Sequence, residues 1–491
     1  MGRFEKAIVL DSGIDRRELG YYSTPSFVSS FMTKAMLKIN HRGKYALDPC
    51  VGKQEMIKDL YEANIEIDGI DVYNHGDYFY CKFIQGDFIE RYKRTKSELI
   101  FDQKINLKYD YYLANPPYNC HEIDYIRNNK KELNNAFGNI GVHNMYSMFI
   151  SAIIDSAKEG AVISIISADS FLTARMHNPL RTQILNECSI HYLLLCPTDL
   201  FWDQKADVRT CIMVLQKGKQ YQKQVGTLNR PKNKDLLKLK LEEENFNETE
   251  LEQIISRSGN NEFEFVIDIP KEIQSLLTYP RVGEKFKCIT GISTGEDAKY
   301  IVKEKRKGFE IPFYKNPGSR KFFCEQDGFI TNDYIKYDKE VKNFMVRNKG
   351  FMLKEGITCS SMGLPFSACY LPKGSTYGVN ANIFCDREND IWWLLSYLNS
   401  SLVTYIVRGI LIRSNMITSG YVSKIPVIDL TDDLKNELSL VAKKAFSDRV
   451  SPKDVGKIIE RIDEVLFNEL NLSDTTKTEI LNFASNLQSR V

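Results

Sequence analysis

The residues best suited to chemistry stand together at Asn115-Pro116-Pro117-Tyr118, directly after the apolar run 111–114. The two prolines lack N–H donors, so this turn offers carbonyl oxygens beside the side-chain oxygen of Asn115. If Asn115 Oδ1 and the Pro116 carbonyl accept both protons of a planar exocyclic amine, its lone pair leaves ring conjugation and becomes nucleophilic. Tyr118 offers a flat face on which the ring of that amine can stack. A purely structural Pro-Pro turn at a strand end is the alternative interpretation.

Three acidic residues form a second constellation upstream of this turn. Asp48, Asp71 and Asp87 each lie at the end of one of three successive strand candidates. An acid at the end of the second strand is placed to accept both hydroxyls of a ribose, and one after the third can accept from an adenine amino group. Each Asp alone is more often a helix N-cap. Together, in this order, they indicate a cofactor that contains adenosine.

The elements that must position these residues follow from the periodicity between residues 44 and 217. Short apolar runs alternate there with helical stretches, which is typical of a parallel sheet with helices on its faces. Strands are predicted at 45–47, 67–72, 83–85, 109–114, 161–167, 191–196 and 208–216, and a helix at 144–157. We therefore expect a doubly wound α/β domain whose strand ends bring the turn and the three acids together.

Composition divides the rest of the chain near residue 270. Residues 218–280 are polar and charge-dense, and 232–244 within them is expected to be connecting structure before the next unit. Residues 271–430 mix short β-like runs with Gly, Pro and Asn turns, whereas 431–487 has a helical pattern. We predict a first domain at 1–270, a mixed α+β domain at 271–430 and a helical segment at 431–491.

The overall composition is that of a folded globular protein, with 491 residues, 43% hydrophobic, 26% charged and a net charge of +2. These values exclude a collagenous or wholly disordered chain. Residues 271–430 carry 23 basic and 16 acidic side chains. This local excess is expected where phosphates are neutralised, and a solvated basic face is the alternative. The candidate contacts are Lys303, Lys305, Arg306, Arg320, Lys321, Arg408 and Arg413.

The cysteines and the apolar runs indicate in which cellular compartment the protein is expected to lie. The 11 cysteines are scattered, without a C-x-x-C pair or a histidine at zinc-ligand spacing. We therefore expect reduced thiols and no metal site. The sequence has no signal peptide and no run of about 18 apolar residues, so we expect a cytoplasmic protein that does not span a membrane.

Taken together, these motifs resemble the S-adenosylmethionine (SAM)-dependent adenine-N6 DNA methyltransferases of the gamma type. In that family the cofactor motifs precede the catalytic motif and a target-recognition domain follows. Gly20-Tyr21-Tyr22-Ser23-Thr24-Pro25 is similar to the N-terminal cofactor motif, and Asn115-Pro116-Pro117-Tyr118 matches the catalytic motif in full. The resemblance implies a Rossmann-like catalytic domain, a mixed α+β recognition domain and terminal helices.

The resemblance also implies roles for individual residues. Phe201 would stack on the other face of a flipped adenine opposite Tyr118. The implied cofactor contacts are Tyr21, Tyr22, Thr24, Asp48, Pro49, Cys50, Gly52, Asp71, Val72, Asp87, Phe88 and Asn115. Gln54 departs from the pattern, because the family usually has a second glycine two residues after Gly52. A side chain there would crowd the methionine carboxylate or hydrogen-bond to it.

The activity that the resemblance implies is methyl transfer from SAM to adenine N6 in double-stranded DNA, without a metal. The implied setting is the bacterial nucleoid, with a cognate restriction endonuclease as a further partner and a monomeric or dimeric enzyme. The few residues ahead of Gly20 leave no room for a nuclease domain, so we expect a methyltransferase alone. Residues 291–295 and 398–401 resemble segments of recognition domains in this family.

Three other functions are open at the level of sequence. The same four-residue motif also serves enzymes that methylate a glutamine amide of a protein, and structured RNA is another acceptor. A catalytically silent DNA-binding partner that retains the fold is the third, and Gln54 favours it whereas the intact Asn115 motif opposes it. Cytosine-N4 methylation is disfavoured, because that branch usually begins its motif with serine.

Overall fold

The computed structural model describes two compact units within residues 22–98, 108–118, 124–206, 208–218, 224–258, 262–362, 365–411, 416–451 and 453–488. The first unit comprises the described residues up to 255 together with 263–268. The second comprises 256–262 and the described residues from 269 onward. The chain passes between the units around β10 and β11, for which the bounds follow below.

A nine-stranded sheet forms the core of the first unit. Its strands are β1 Tyr45–Asp48, β2 Glu66–Asp71, β3 Lys82–Gln85, β4 Tyr111–Ala114, β5 Val162–Ala168, β6 Cys188–Leu195, β7 Thr210–Lys217, β8 Gln224–Leu228 and β9 Asn247–Glu250. Their spatial order is β3-β2-β1-β4-β5-β7-β6-β8-β9. The first five pair in parallel, so β1, β2, β3 and β4 end at one edge, while β7 runs antiparallel between β5 and β6.

Helices cover both faces of this sheet. They are α1 Ser26–Ile39, α2 Lys58–Glu62, α3 Phe88–Glu98, α4 Asp124–Asn128, α5 Lys130–Phe137, α6 Met145–Ser156, α7 Asn178–Glu187, α8 Lys234–Glu242 and α9 Leu251–Ile254. Short 3₁₀ turns lie at Asp169–Leu172, Arg175–His177 and Trp202–Gln204. The expected doubly wound α/β class is therefore confirmed.

The two faces bury alternate residues of the central strand β4. Tyr112 and Ala114 belong to the core cluster that contains α6 residues such as Met148. Tyr111 and Leu113 belong to the opposite cluster, which contains Met32 of α1. All four residues of β4 are buried, which explains why this strand is a continuous apolar run in the sequence. The Asn115 turn thus begins at the end of a strand that is buried throughout.

Two further strands of the sheet lie on either side of the segment 232–244. β8 pairs in parallel with β6, and β9 pairs antiparallel with β8. The sequence of β9, Asn-Glu-Thr-Glu, is almost wholly exposed. Its strand conformation comes from pairing at the sheet edge, where polar side chains face water, and not from an apolar period. The segment 232–244, which was expected to be connecting structure, instead contains helix α8, whose Leu237 and Leu241 are buried.

The second unit is built from short strands. After β10 Ile255–Ser258 and β11 Glu262–Phe265, the strands are β12 Lys287–Ile289, β13 Ile292–Ser293, β14 Ile301–Val302, β15 Ile311–Tyr314, β16 Gly328–Ile330, β17 Met345–Val346, β18 Gly356–Cys359, β19 Ala368–Leu371, β20 Thr376–Tyr377 and β21 Asn382–Phe384. Two four-stranded sheets have the orders β12-β21-β18-β19 and β14-β16-β15-β20. The expected mixed architecture is confirmed for this unit.

The helices of the second unit are α10 Lys271–Leu276, α11 Val282–Lys285, α12 Asp297–Tyr300, α13 Tyr334–Glu340, α14 Glu388–Leu398, α15 Ser401–Tyr405, α16 Ser419–Val422, α17 Asp432–Ser447, α18 Val455–Glu469 and α19 Asp474–Gln488. A π-helix, Ile406–Leu411, continues α15, and a 3₁₀ turn lies at Lys349–Phe351. The helical pattern of 431–487 is confirmed. Thr431 caps α17 by accepting from Leu434 N at 3.3 Å, and Ser396 Oγ of α14 donates to the Leu438 carbonyl at 2.7 Å.

Within the described ranges, no single helix is long and apolar enough to cross a membrane. The pair α14 and Ser401–Leu411 passes the same test only when the two helices are taken together, and it bends by 67°.

Candidate active site at the carboxyl edge of the central sheet

The side chain of Asn115 is held in one orientation directly after β4. Its Nδ2 donates to the Tyr22 carbonyl at 2.6 Å and to Thr24 Oγ1 at 2.9 Å. A backbone carbonyl can only accept a hydrogen bond, so the amide nitrogen must face Tyr22 and the amide oxygen must face away. Oδ1 in turn accepts from the hydroxyl of Tyr118 at 2.5 Å. The catalytic turn thus presents an acceptor with a fixed direction.

Three aromatic rings gather around this acceptor. Tyr22 stacks on Tyr118 with ring centroids 5.3 Å apart and planes at 16°. Tyr22 also contacts Phe201, with centroids 5.8 Å apart and planes at 53°. Phe201 is fully buried. The two residues expected to hold a base therefore lie in one cluster, in which the ring of Tyr22 contacts both.

Burial keeps the hydroxyl of Tyr118 protonated. Removal from water raises the pKa of Tyr118 well above its usual value, and nearby thiols and Tyr22 raise it further. The hydroxyl therefore remains a donor at neutral pH, and its partner is the same Asn115 oxygen to which the sequence assigned the incoming amine.

The three acids end neighbouring strands, as expected. Asp71 Oδ2 accepts from Gly52 N at 3.0 Å, and Oδ1 accepts from Tyr73 N at 3.0 Å. Asp48 Oδ1 accepts from Cys50 N at 3.0 Å, behind the buried Pro49. Asp71 thereby joins the loop after β1 to the loop after β2.

Asp87 caps a helix, which is the alternative that the sequence left open. Its Oδ1 accepts from Ile89 N at 2.8 Å, in the first turn of α3. Phe88 lies in the core and packs against Phe149, with ring centroids 5.4 Å apart. Val72, by contrast, is about half exposed directly after β2. Of the three contacts predicted around the adenine, Asp87 caps α3, Val72 is about half exposed and Phe88 packs in the core.

Burial raises the pKa of two acids at this edge, Asp48 and Asp87. Burial, together with the nearby carboxylates of Asp71 and Glu55, raises the pKa of Asp48 to about 8 against the lowering effect of the Cys50 N–H. Burial also raises the pKa of Asp87, opposed by the N–H groups of Ile89 and Glu90. A row of carboxyl oxygens beside a glycine at φ 52°, Gly52, suits hydroxyl and amino donors such as those of an adenosine. The residues present thus fit the cofactor that the sequence implies.

Gln54 is turned away from the cofactor loop. Its backbone has φ 69°, the left-handed region usually taken by glycine, and its side chain is buried. Nε2 donates to the Asp77 carbonyl at 3.0 Å, and Oε1 accepts from Phe79 N and Tyr80 N, both at 2.9 Å. The side chain therefore ties the loop after β1 to residues 77–80. Both expectations for it, crowding or hydrogen-bonding the methionine carboxylate, are replaced by this contact in the structure.

Sequence reasoning missed Gln204, three residues after Phe201. Its Oε1 accepts from Ser23 N at 2.9 Å, and its Nε2 donates to the Ser23 carbonyl at 2.6 Å. No local signal could have revealed this pair, because the partners are 181 residues apart in the chain.

The basic candidates of the second unit divide by exposure. Lys303, Lys305, Arg306 and Arg320 are exposed. Lys321 is buried, and its Nζ donates to the carbonyls of Phe366 and Asn399 at 3.0 and 2.7 Å. Arg408 is buried within the π-helix. A phosphate contact needs a side chain that reaches solvent, so we withdraw both from the predicted DNA contacts. Tyr21 and Arg413 lie outside the described residues.

A metal site is absent from the described part of the chain, where no group of three or more His, Cys, Asp or Glu side chains could hold an ion.

Known proteins share this fold. The structure of the Type IIL restriction-modification enzyme MmeI in complex with DNA has a TM-score of 0.58 at 12% identity, covering 98% of this chain and 80% of that one. A nuclease-deletion mutant of the Type ISP restriction-modification enzyme LlaGI, in complex with a DNA substrate mimic, has a TM-score of 0.56 at 13% identity, covering 87% and 47%. The DrdV-DNA complex has a TM-score of 0.54 at 11% identity, covering 89% and 58%.

These likenesses concern the fold. This chain spans about half of the length of the LlaGI and DrdV chains. No curated protein sequence matches it. The family model for N-6 DNA methylases matches residues 14–275, more than half of the chain and including the catalytic turn, the three acids and Phe201. The chain therefore belongs to the N-6 DNA methylase family.

Proposed function

We propose that this protein transfers a methyl group from SAM to the exocyclic N6 of adenine in double-stranded DNA, after the base has rotated out of the duplex. The observation that carries the proposal is the orientation of Asn115. Nδ2 is committed to Tyr22 and Thr24, so Oδ1 is an acceptor that cannot turn away. Pro116 follows Asn115 directly in the chain, and the Tyr118 hydroxyl lies 2.5 Å from Oδ1. An amino group on a flat ring is the substrate that this combination suits.

SAM, when bound, supplies a methyl group already activated on a sulfonium. The chain's own residues then have to orient the amine and stabilise the positive charge that develops on its nitrogen. Asn115 Oδ1 and the Pro116 carbonyl accept its two protons and hold the lone pair out of conjugation. The rings of Tyr118 and Phe201 contact the base and exclude water. Asp48, Asp71 and Asp87 accept hydrogen bonds at the cofactor side of the same sheet edge.

Entry of the base requires an exchange of partners at this site. In the structure the Tyr118 hydroxyl donates to the Asn115 oxygen, and the Tyr22 ring contacts both Tyr118 and Phe201. The amine therefore replaces the Tyr118 hydroxyl at Oδ1. The base takes the place of the Tyr22 ring in contact with Tyr118, Phe201 or both. Asn115 Oδ1 regains with the substrate the hydrogen bond that it gives up within the protein, so the exchange leaves only the Tyr118 hydroxyl in need of a new acceptor.

DNA as the partner is supported by the solved relatives, because MmeI, LlaGI and DrdV were each captured with DNA or a DNA mimic. In this chain we assign the target recognition to residues 271–430, with phosphate contacts from Lys303, Lys305, Arg306 and Arg320. A gamma-type order of motifs, a cytoplasmic location at the nucleoid and a cognate restriction endonuclease belong to the same proposal.

The test is to incubate the purified protein with methyl-labelled SAM and, separately, unmethylated genomic DNA, total RNA or a protein lysate. Mass analysis then identifies the labelled acceptor, and Asn115→Ala is run beside the wild type. We expect N6-methyladenine in DNA alone, absent with the variant. Label in RNA or in glutamine would refute the substrate but keep the chemistry of Asn115. SAM binding without label in any acceptor would refute the activity and favour a silent partner.

A further inference from the structure

Gln204 and Asn115 form hydrogen bonds to opposite sides of one peptide unit, the one between Tyr22 and Ser23. The Tyr22 carbonyl and the Ser23 N–H belong to the same planar amide and point in opposite directions, because the peptide bond is trans. Asn115 Nδ2 donates to the carbonyl at 2.6 Å, and the N–H donates to Gln204 Oε1 at 2.9 Å. With the Tyr118 hydroxyl on Asn115 Oδ1 at 2.5 Å, a continuous hydrogen-bonded chain runs from Gln204 to Tyr118.

The direction of every bond in this chain is the same. The Tyr118 hydroxyl donates to Asn115, Asn115 donates to the Tyr22 carbonyl, and the Ser23 N–H donates to Gln204. Aligned amide dipoles polarise one another, so each bond strengthens its neighbour. The oxygen at the Asn115 end thus depends on a residue that does not touch it.

A second bond fixes Gln204 itself. Its Nε2 donates to the Ser23 carbonyl at 2.6 Å, so the side-chain amide contacts both polar backbone groups of Ser23. This two-point contact determines which end of the Gln204 amide faces the Ser23 N–H. Gln204 sits in the turn Trp202–Gln204 directly after Phe201, and Gln204 N donates to the Phe201 carbonyl at 3.0 Å. The same residue therefore joins the base-stacking turn to the segment that orients Asn115.

We infer that Gln204 is a positioning residue for methyl transfer, which fixes the Asn115 amide through the Tyr22–Ser23 peptide. The inference rests on the proposed function for the reaction, but not on the identity of the acceptor. Without Gln204, the Tyr22–Ser23 peptide can tilt, and the Asn115 amide can follow it away from the position at which Oδ1 meets the amine. At saturating SAM and DNA, the property that is lost is the alignment at the reacting nitrogen.

The kinetic test compares Gln204→Ala and Gln204→Glu with the wild type in single-turnover methyl transfer at saturating SAM and DNA. We expect Gln204→Ala to slow the methyl-transfer step about tenfold or more, with the KM for DNA within about threefold, because the variant loses both hydrogen bonds to Ser23. Gln204→Glu keeps an acceptor for the Ser23 N–H but loses the donor to the Ser23 carbonyl. Its rate should lie between the two.

Gln216→Ala is the matched control. Gln216 is a buried glutamine of the first unit, whereas Gln204 is partly buried, and the Gln216 Nε2 donates to the Gly160 carbonyl at 3.2 Å. It pairs with Val162 at the beginning of β5, the end of the strand remote from the catalytic turn. The control should lower the melting temperature as much as Gln204→Ala does, with an unchanged methyl-transfer rate. Equal rate losses in both variants, or a Gln204→Ala rate within about twofold of the wild type, would overturn the inference.

A second measurement does not depend on activity. In protein labelled with ¹⁵N-asparagine, the Asn115 side-chain amide is identified as the signal missing from Asn115→Ala. Its protons should exchange slowly with solvent in the wild type, about tenfold faster in Gln204→Ala and at the wild-type rate in Gln216→Ala. Unchanged exchange in Gln204→Ala would refute the positioning role. A wild type without methylated DNA but with this exchange pattern would refute the proposed substrate alone.

Discussion

At the scale of single residues, the two ends of the Asn115 amide have opposite chemistry, and the Tyr22 carbonyl decides which end faces outward. We expect Asn115→Ala to lower kcat by about a hundred- to a thousandfold, as loss of a fixed polar group at a reacting atom does. The dissociation constant for SAM should stay within about threefold, because the three acids are unaffected. Single-turnover rates and calorimetric titration with SAM measure the two quantities. Equal losses of turnover and SAM binding would instead show that Asn115 acts only by holding the 22–24 segment and does not act on the amine.

The carboxyl of Asp48 provides a test by pH. Burial raises its pKa to about 8 in the folded protein, against 3.8 for the free group. Between these values the folded state binds more protons than the unfolded chain, so the free energy of unfolding falls as the pH rises. The contribution is complete below the lower value and lost above the higher one. Asp48→Asn keeps an oxygen for the Cys50 N–H and removes the titration.

The melting temperature of Asp48→Asn relative to the wild type should therefore rise steadily from about pH 5 to about pH 8. Differential scanning calorimetry of both proteins across this range measures the difference, in which the other titrating groups cancel because both proteins share them. A difference that stays constant with pH would show that the carboxyl is ionised throughout.

At the scale of elements, Gln54 joins two loops that follow adjacent strands. Both Gln54→Ala and Gln54→Gly remove its three hydrogen bonds to residues 77–80, and each should weaken SAM binding and lower stability by about 1 to 3 kcal/mol. The backbone at φ 69° suits glycine and not alanine. The glycine variant should therefore be more stable than the alanine variant by about 1 kcal/mol.

Urea unfolding and calorimetric titration with SAM check both parts of this prediction. If the glycine variant bound SAM better than the wild type does, the Gln54 side chain would be an obstruction in the cofactor loop, as the sequence alone allowed, and not a tie between loops.

At the scale of the whole molecule, the excess positive charge of residues 271–430 is small once Lys321 and Arg408 are set aside as buried. The exposed trio Lys303, Lys305 and Arg306 tests whether this region binds DNA. Replacing all three with glutamine should reduce the slope of log K against log salt concentration by about 0.9 for each phosphate that is no longer neutralised. Fluorescence anisotropy with a labelled duplex at several salt concentrations measures this slope.

The control replaces three exposed lysines of the terminal helical region, Lys444, Lys453 and Lys457, with glutamine. It changes the net charge of the protein by the same amount. Equal slopes for the two triple variants would show that only net charge matters and that the predicted phosphate contacts are wrong.

Local sequence alone determined the α/β class and the order of the chemical motifs. Strands such as β4 and β5 are continuous apolar runs, because both faces of a parallel sheet are buried. The Asn115 turn and the acids Asp48 and Asp71 could be placed at the sheet edge for the same reason: they follow strands that must run side by side. Terminal helices such as α17 were equally visible, with Thr431 and two acids at the N-terminus.

Only the tertiary structure decided which atoms meet. Gln204 and Ser23 are 181 residues apart, and Gln54 contacts residues 77–80, which lie 23 to 26 positions further along the chain. Neither contact therefore has a local signature. Lys321 and Arg408 are charged residues that the fold buries, against the usual preference of such side chains for water. β9 is a strand by pairing and not by composition. Periodicity is a property of neighbours along the chain, whereas burial and hydrogen-bond pairing depend on which distant segments the fold brings together.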